Sequence, residues 1–245
     1  MSVKTSQSGS RMLAVVEMIA ARQPIGASAL ARLMDADKSA VQRSLATLAK
    51  AGWISATGDR PLRWELSARL FSLANLPHSS EELRRRAAPA LADLRESTGE
   101  TAFLAIPDLS RFVVVEVLES RRLLRTAPRV GEIIQPTGTA TGRVMLAHMD
   151  AQRQAALLGR PPTEAEERAF AQCRECRYGV SIGEIVEGAT NIAAPVLDGK
   201  GNPVAAIALS GPSDRLPDDR IAQLGRQLAV IAQGLLHASD DVQTD

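Results

Sequence analysis

Cysteine, histidine and long apolar runs are scarce in this chain of 245 residues. Its two cysteines, Cys173 and Cys176, are too few and too close together to staple a secreted fold, so a reducing compartment, the cytoplasm, is expected. A zinc site needs about four ligands. No second cysteine pair exists, and the three histidines, His78, His148 and His237, lie far apart in sequence. No metal and no cofactor are therefore expected, and two thiols three residues apart on a predicted helix read as incidental. No stretch reaches the ~18 uninterrupted apolar residues of a membrane span, and the early run from Met12 to Val16 stops at Glu17. Neither a membrane partner nor a signal peptide is expected. Internal repeats and low-complexity tracts are also missing. Ser210-Gly211-Pro212 lacks the Gly-x-Ser-x-Gly elbow and no motif supplies a base, which argues against a nucleophilic enzyme.

What is present is ordinary globular composition, 45% hydrophobic and 23% charged, over a length that favours two domains. Charge is divided by position. Through Pro77 there are 10 Lys and Arg against 5 Asp and Glu; from His78 onward there are 19 against 23. A basic first third joined to a mildly acidic remainder is the footprint of one module meeting a polyanion while the other does not.

Spacing organises the first third into helices and a hairpin. Leu13, Val16, Glu17 and Ala20 predict a helical face that begins near a cap at Ser8 or Ser10 and stops at Pro24. A short apolar segment opens at Ser28 and ends in the turn Asp35-Ala36-Asp37. Asp37 can cap the next helix, whose stripe Val41, Leu45, Leu48 follows helical spacing, and Gly52 closes it. Trp53 to Ser55 and Arg63 to Leu66, across Gly58 to Pro61, read as a hairpin with a basic tip. Beyond the polar, proline-containing stretch Asn75 to Ser80, a capping box from Ser79 to Glu82 starts a helix with Leu83, Ala87, Leu91 and Leu94 on one stripe. Pro89 is expected to split that helix into two. Strands are expected at Thr101 to Ile106, Phe112 to Leu118, Leu123 to Thr126, Ile192 to Leu197 and Val204 to Leu209. Helices are expected at Thr141 to His148, Ala151 to Leu158, Thr163 to Arg174 and Asp218 to Leu236. The fold class is α+β.

Helix, tight turn, second helix and hairpin, from Ser28 to Ile54 and beyond, form a winged helix-turn-helix pattern, whose second helix can enter the major groove of double-stranded DNA. With Val41, Leu45 and Leu48 turned inward, Lys38, Ser39, Gln42 and Arg43 stay exposed at its start. Gln suits adenine and Arg suits guanine or phosphate, whereas Ser39 suits phosphate. Arg60 and Arg63 of the wing could reach the backbone or minor groove. A small helical subdomain with a solvated polar face would show the same pattern. Arg84-Arg85-Arg86 sits near Glu81 and Glu82 and reads as an ion-paired face.

At this point the chain resembles the IclR-type bacterial transcriptional regulators. In the first domain the resemblance rests on Ser10-Arg11-Met-Leu13, Ala29-Leu30-Ala31 and the run Lys38 to Gly52. In the second it rests on Ala88 to Leu94, Ser97 to Thr101, Val130-Gly131, Thr139 to Arg143, Tyr178-Gly179, Glu184, Glu187-Gly188 and Ile192 to Val196. It implies a winged helix-turn-helix in residues 1–78, linker helices used in dimerisation in 79–98, and a GAF-like effector-binding domain in 99–245. Departures occur: Ala40 and Gln42 replace the family's usual Thr and aromatic, and Ser67 replaces a glycine after the wing.

By resemblance the effector pocket draws on Leu123 and Thr126; Ala140, Thr141 and Gly142; Ser181, Ala189 and Asn191 in a loop from 181 to 191; and Ala208 and Ser210. These are mostly neutral hydrogen-bonding or small groups beside a helix start, which suits a small organic acid or an aromatic metabolite such as an intermediate of aromatic degradation. The expected protein is a homodimeric or homotetrameric regulator, a repressor rather than an activator, that controls catabolic genes in response to a small-molecule effector. Two other readings stay open: a small-molecule enzyme with an accessory helix-turn-helix, and a metabolite-binding module with no DNA role.

Overall fold

Strands apolar on both faces need helices on both sides, and the second half of this chain is built that way. The computed structural model describes residues 5–58, 61–74, 79–109 and 111–237. The chain divides into two compact units, residues 1–77 and 78–245.

In the first unit, helices α1 (Gln7–Arg22), α2 (Ala27–Leu33) and α3 (Lys38–Lys50) accompany strands β1 (Ile25–Gly26), β2 (Ile54–Thr57) and β3 (Arg63–Leu66), with α4 (Ala68–Ala74) after them. The strands form an antiparallel sheet in the order β1-β3-β2. Val41, Leu45 and Leu48 of α3 are buried with Val15, Ile19, Leu30 and Ile54. Asp37 caps α3, its Oδ2 accepting from the Ala40 amide at 3.1 Å. The face of α1 differs from expectation: Val15 and Ile19 are fully buried, while Leu13 is 67% exposed. A stripe through Met12, Val15 and Ile19 turns three apolar side chains inward, which a stripe containing Leu13 and Glu17 does not. Ser6, not Ser8 or Ser10, is the cap, accepting from the Gly9 amide at 3.2 Å.

The second unit opens with α5 (Ser79–Thr98). Six strands follow, β4 (Thr101–Asp108), β5 (Arg111–Leu118), β6 (Ile133–Ile134), β7 (Gly179–Ile182), β8 (Ala189–Leu197) and β9 (Pro203–Pro212). With them come α6 (Ala140–Leu146), α7 (Ala151–Leu158), α8 (Glu164–Cys176) and α9 (Asp218–His237). The antiparallel sheet runs β6-β5-β4-β9-β8-β7. Strand alternation sorts its side chains. Ala102, Leu104, Ile192, Ala194, Val196, Ile207 and Leu209 meet α5 and α9 on one face. Phe103, Ala193, Ala206 and Ala208 meet α6 and α8 on the other. The alanines on that second face leave room for α6 to sit close to the sheet.

Four expectations change here. α5 is one helix with Pro89 inside it: Pro89 and Arg85, whose carbonyl loses its partner, are both exposed, so water can serve the freed acceptor. The stripe Leu83, Ala87, Leu91 and Leu94 packs on this unit's own sheet and is not free for self-association. Leu123 to Thr126 forms no strand, and residues 181 to 191 are the end of β7, a turn and the start of β8, not a loop throughout.

At the start of α8, Thr163 and Glu166 complete the expected capping box, and Arg160 grips the Glu166 carboxylate at 2.7 and 2.8 Å. The Arg160 guanidinium, helped by the Thr163 donors and opposed by slight burial, brings the Glu166 carboxyl down to about 2 from an ordinary 4.5. A depressed folded pKa means the stabilisation is complete above pH 4.5 and is lost as pH falls toward 2. Glu166→Gln should therefore flatten that part of the acid limb in thermal denaturation against pH. Because the pair is partly exposed, the cost at neutral pH should be about 1 kcal/mol. An unchanged acid limb would remove Glu166 from the protein's acid lability.

Candidate nucleic-acid face and ligand cavity

In the first turns of α3, the positions left outside the buried stripe are Lys38, Ser39, Gln42 and Arg43, all exposed. Ser39 is already engaged: its hydroxyl donates to Asp37 Oδ2 and accepts from Arg43 Nη1 at 3.2 Å. The Ser39 hydroxyl and the Ala40 amide hold the Asp37 carboxyl below its ordinary range. One turn further along the same face, Ala46 and Thr47 are also exposed; counting four residues on from Gln42 and Arg43 finds them. Arg63 lies exposed on β3, its Nη1 3.4 Å from the Pro24 carbonyl. Arg60 lies outside the described residues.

In the second unit, one cavity of about 200 Å³ opens on the α6 face of the sheet. Thr126, Ala140, Thr141, Ala189, Asn191 and Ser210 line it. Strand register explains part of this gathering, since Ser181 pairs with Asn191, Asn191 with Ser210 and Ser210 with Thr101 across four strands. These four polar residues thus form one row on one face. Thr126 and Ser210 share a hydroxyl hydrogen bond of 2.7 Å. Among the described residues, the side chains of Thr141 and Asn191 make no hydrogen bond to protein.

Four expected positions do not join the lining. Leu123 is 99% exposed. Ser181 is turned to the Gly138 carbonyl at 2.8 Å, Ala208 is packed under α6, and Gly142 is buried within α6. The missed walls are Phe103 of β4, the stretch Ala127-Pro128 and Glu132 to Gln135, Thr139, and the hairpin tip Ile185-Val186. Glu132 is the charged member of this lining, and its Oε2 accepts from the Arg129 amide at 2.9 Å. α6 has only seven residues, so its dipole is small and most polar recognition falls to the hydroxyls and the Asn191 amide.

The cysteine pair stays outside this site. Cys173 is buried, which pushes its thiol up to about 11, and Cys176 is exposed. No group of metal-ligating side chains is found among the described residues, and no described helix is long and apolar enough to cross a membrane. The arginine run is ion-paired: Arg84 with Glu116, and Arg85 and Arg86 with Glu82.

Residues 77–236 match the family described as the C-terminal domain of bacterial transcriptional regulator IclR. The transcriptional repressor IclR of Escherichia coli is 26% identical over 241 residues, 93% of this chain and 88% of that one. The glycerol operon regulatory protein of Streptomyces griseus is 30% identical over 230 residues, 87% of each chain. Among solved structures, an IclR homolog from Microbacterium hydrocarbonoxydans complexed with 4-hydroxybenzoate superposes with a TM-score of 0.79 at 22% identity, covering 95% of this chain and 100% of that chain. With well over half its length matched by the family's C-terminal domain and near-full-length relatives in both sequence and fold, the chain belongs to the IclR family of bacterial transcriptional regulators.

Proposed function

We propose that this regulator is a repressor of catabolic genes, whose first unit reads an operator through α3 and the wing and whose second unit senses a small organic acid or aromatic metabolite. The family is one of regulators, not enzymes, which sets aside the reading as an enzyme with an accessory helix-turn-helix. The observation that carries the ligand assignment is that Thr141 and Asn191, whose side chains bond nothing among the described residues, face a cavity whose walls combine Phe103, Ile133, Ile134, Ile185 and Val186 with the polar Thr126, Glu132, Gln135, Thr139 and Ser210. Side-chain polar groups that face a cavity and bond nothing in the protein are free to bond a ligand, and apolar walls with convergent polar groups are the usual build of a small-molecule site. At about 200 Å³ it is below the ~300–1,000 Å³ of drug-sized sites, which suits a single ring or a short acid. The 4-hydroxybenzoate held by the Microbacterium homolog is of that size and class.

The protein would act in the cytoplasm as a homodimer or homotetramer, matching an operator with two half-sites about 10 base pairs apart or a multiple of that. Since the α5 stripe is used internally, another surface must carry that association.

Calorimetry of the full chain against benzoate, 4-hydroxybenzoate and short aliphatic acids tests the ligand class. Asn191→Ala should weaken the acid that binds about tenfold and leave ligand-free operator affinity within about threefold. Binding only of compounds outside this class would refute the ligand assignment, and unchanged affinity in Asn191→Ala would remove Asn191 from the site.

A further inference from the structure

The stretch from Ser120 to Thr126, which leads into the cavity wall, is not held by apolar burial, because Leu123 and Leu124 are 99% and 71% exposed. Polar bonds hold it instead. The Ser120 amide donates to Thr101 Oγ1 at 3.1 Å, and its hydroxyl donates to the Gly99 carbonyl at 2.6 Å. Arg215 donates through Nη1 and Nη2 to the Leu124 carbonyl, each at 3.2 Å. At the centre lies Glu100, whose side chain is fully buried. Arg215 meets both its oxygens, Nε to Oε1 at 2.7 Å and Nη2 to Oε2 at 2.6 Å. Arg122 adds a third bond, Nη1 to Oε1 at 3.1 Å.

A buried carboxylate stripped of its partners is costly, so this arrangement resists rearrangement. The guanidinium fork is suited to both carboxylate oxygens at once, and it still reaches the Leu124 carbonyl. Two residues beyond Leu124, Thr126 makes its hydroxyl bond to Ser210, and Thr126, Ala127 and Pro128 line the cavity.

We propose that Glu100 and Arg215 are positioning residues of the ligand cavity, setting the wall at Thr126 to Pro128 by fixing the Leu124 carbonyl. This rests on the cavity being the ligand site. Neither residue touches the cavity, so each would act only through the loop.

Arg215→Lys is the informative variant. It keeps a charge beside Glu100 but cannot hold both oxygens and the Leu124 carbonyl, whereas Arg215→Ala would leave the carboxylate with Arg122 alone and risks unfolding the unit. In native-state trypsin digestion of the full chain, cleavage after Arg121 or Arg125 should speed up about tenfold in Arg215→Lys. Cleavage after Lys200, in the turn between β8 and β9, should not change. With 4-hydroxybenzoate as calorimetric probe, Arg215→Lys and Thr126→Val should each weaken binding, and the double variant should be no weaker than the weaker-binding of the two single variants, because both act through one wall. Wild-type digestion at Arg121 and Arg125 would overturn the proposal, as would additive losses, which would make Arg215 a general stabiliser. If the wild type fails to bind the probe, that compound is wrong as the ligand, and the digestion alone decides whether Arg215 holds the wall.

Discussion

Alanine at Gly142 should cost the second unit several degrees of melting temperature and most of its ligand affinity. A Cβ there would lie 2.2 Å from the Pro136 carbonyl oxygen and 2.7 Å from its carbon, with Thr139 Oγ1 at 2.8 Å. The first two are backbone atoms, so no rotamer change relieves the clash. α6 cannot simply slide away, because Ala140, Val144 and Met145 are buried in the same cluster as Ala193, Ala206 and Ala208 of the sheet. The turn from Pro136 to Thr139 must give instead. That would break the Thr139 cap, which accepts from the Gly142 amide at 2.9 Å, and displace Gln135, Thr139, Ala140 and Thr141 from the cavity lining. Overpacking of this kind costs about 1–3 kcal/mol and occasionally more, or a drop of about 2–12 °C in a unit this size.

Gly234 in α9 is the control: it is helical and exposed, and an added Cβ meets nothing within 4 Å. Alanine there should be neutral or stabilise by up to about 1 kcal/mol. Calorimetric scans of the two variants side by side measure the contrast. An undisturbed melting temperature in Gly142→Ala would mean the turn relaxes freely and is not fixed by its neighbours.

How much of this was readable beforehand depends on whether the deciding contacts are local. Asp37 beside the stripe Val41, Leu45, Leu48, and the Thr163 to Glu166 capping box, act within a turn or two, and both are found where spacing puts them. The run Ile192 to Leu197 is apolar on both faces because helices cover both, which composition conveys. β1 and β6 carry no such signal, since each is two residues long and exists only through pairing with β3 and β5. Leu123 to Thr126 looks like a strand by residue type, yet finds no strand to pair with. Its position is set by bonds to Arg215 and Ser210, 91 and 84 residues away. The cavity divides the same way. Asn191 and Ser210 sit on regular strands and follow from register, whereas Ala127, Pro128 and the Glu132 to Gln135 stretch come from irregular chain that distant contacts place. Leu13 departs from its expected face for a different reason: α1 offers two overlapping apolar stripes, and the choice between them depends on α3.

The largest functional loss is expected on α3. Gln42→Ala and Arg43→Ala should each cost about 1–3 kcal/mol on a duplex selected by the full-length protein from a random library, and much less on unselected duplex, if each reads a base. Lys38→Ala should weaken both duplexes alike and lower the slope of log affinity against log salt by about one, as a phosphate contact does. Ser39 should behave unlike a phosphate contact. Its hydroxyl lies between Asp37 and Arg43, so Ser39→Ala should leave the salt slope unchanged while eroding part of the discrimination that Arg43 supplies. Asp37 is a poor site for alanine, because its loss uncaps the helix at about 1 kcal/mol and mixes folding with recognition. Fluorescence anisotropy at several salt concentrations separates these cases. Equal losses on both duplexes for Gln42 and Arg43 would reassign them to positioning, and sequence reading would then have to come from further along the same face, at Ala46 and Thr47, or from the wing.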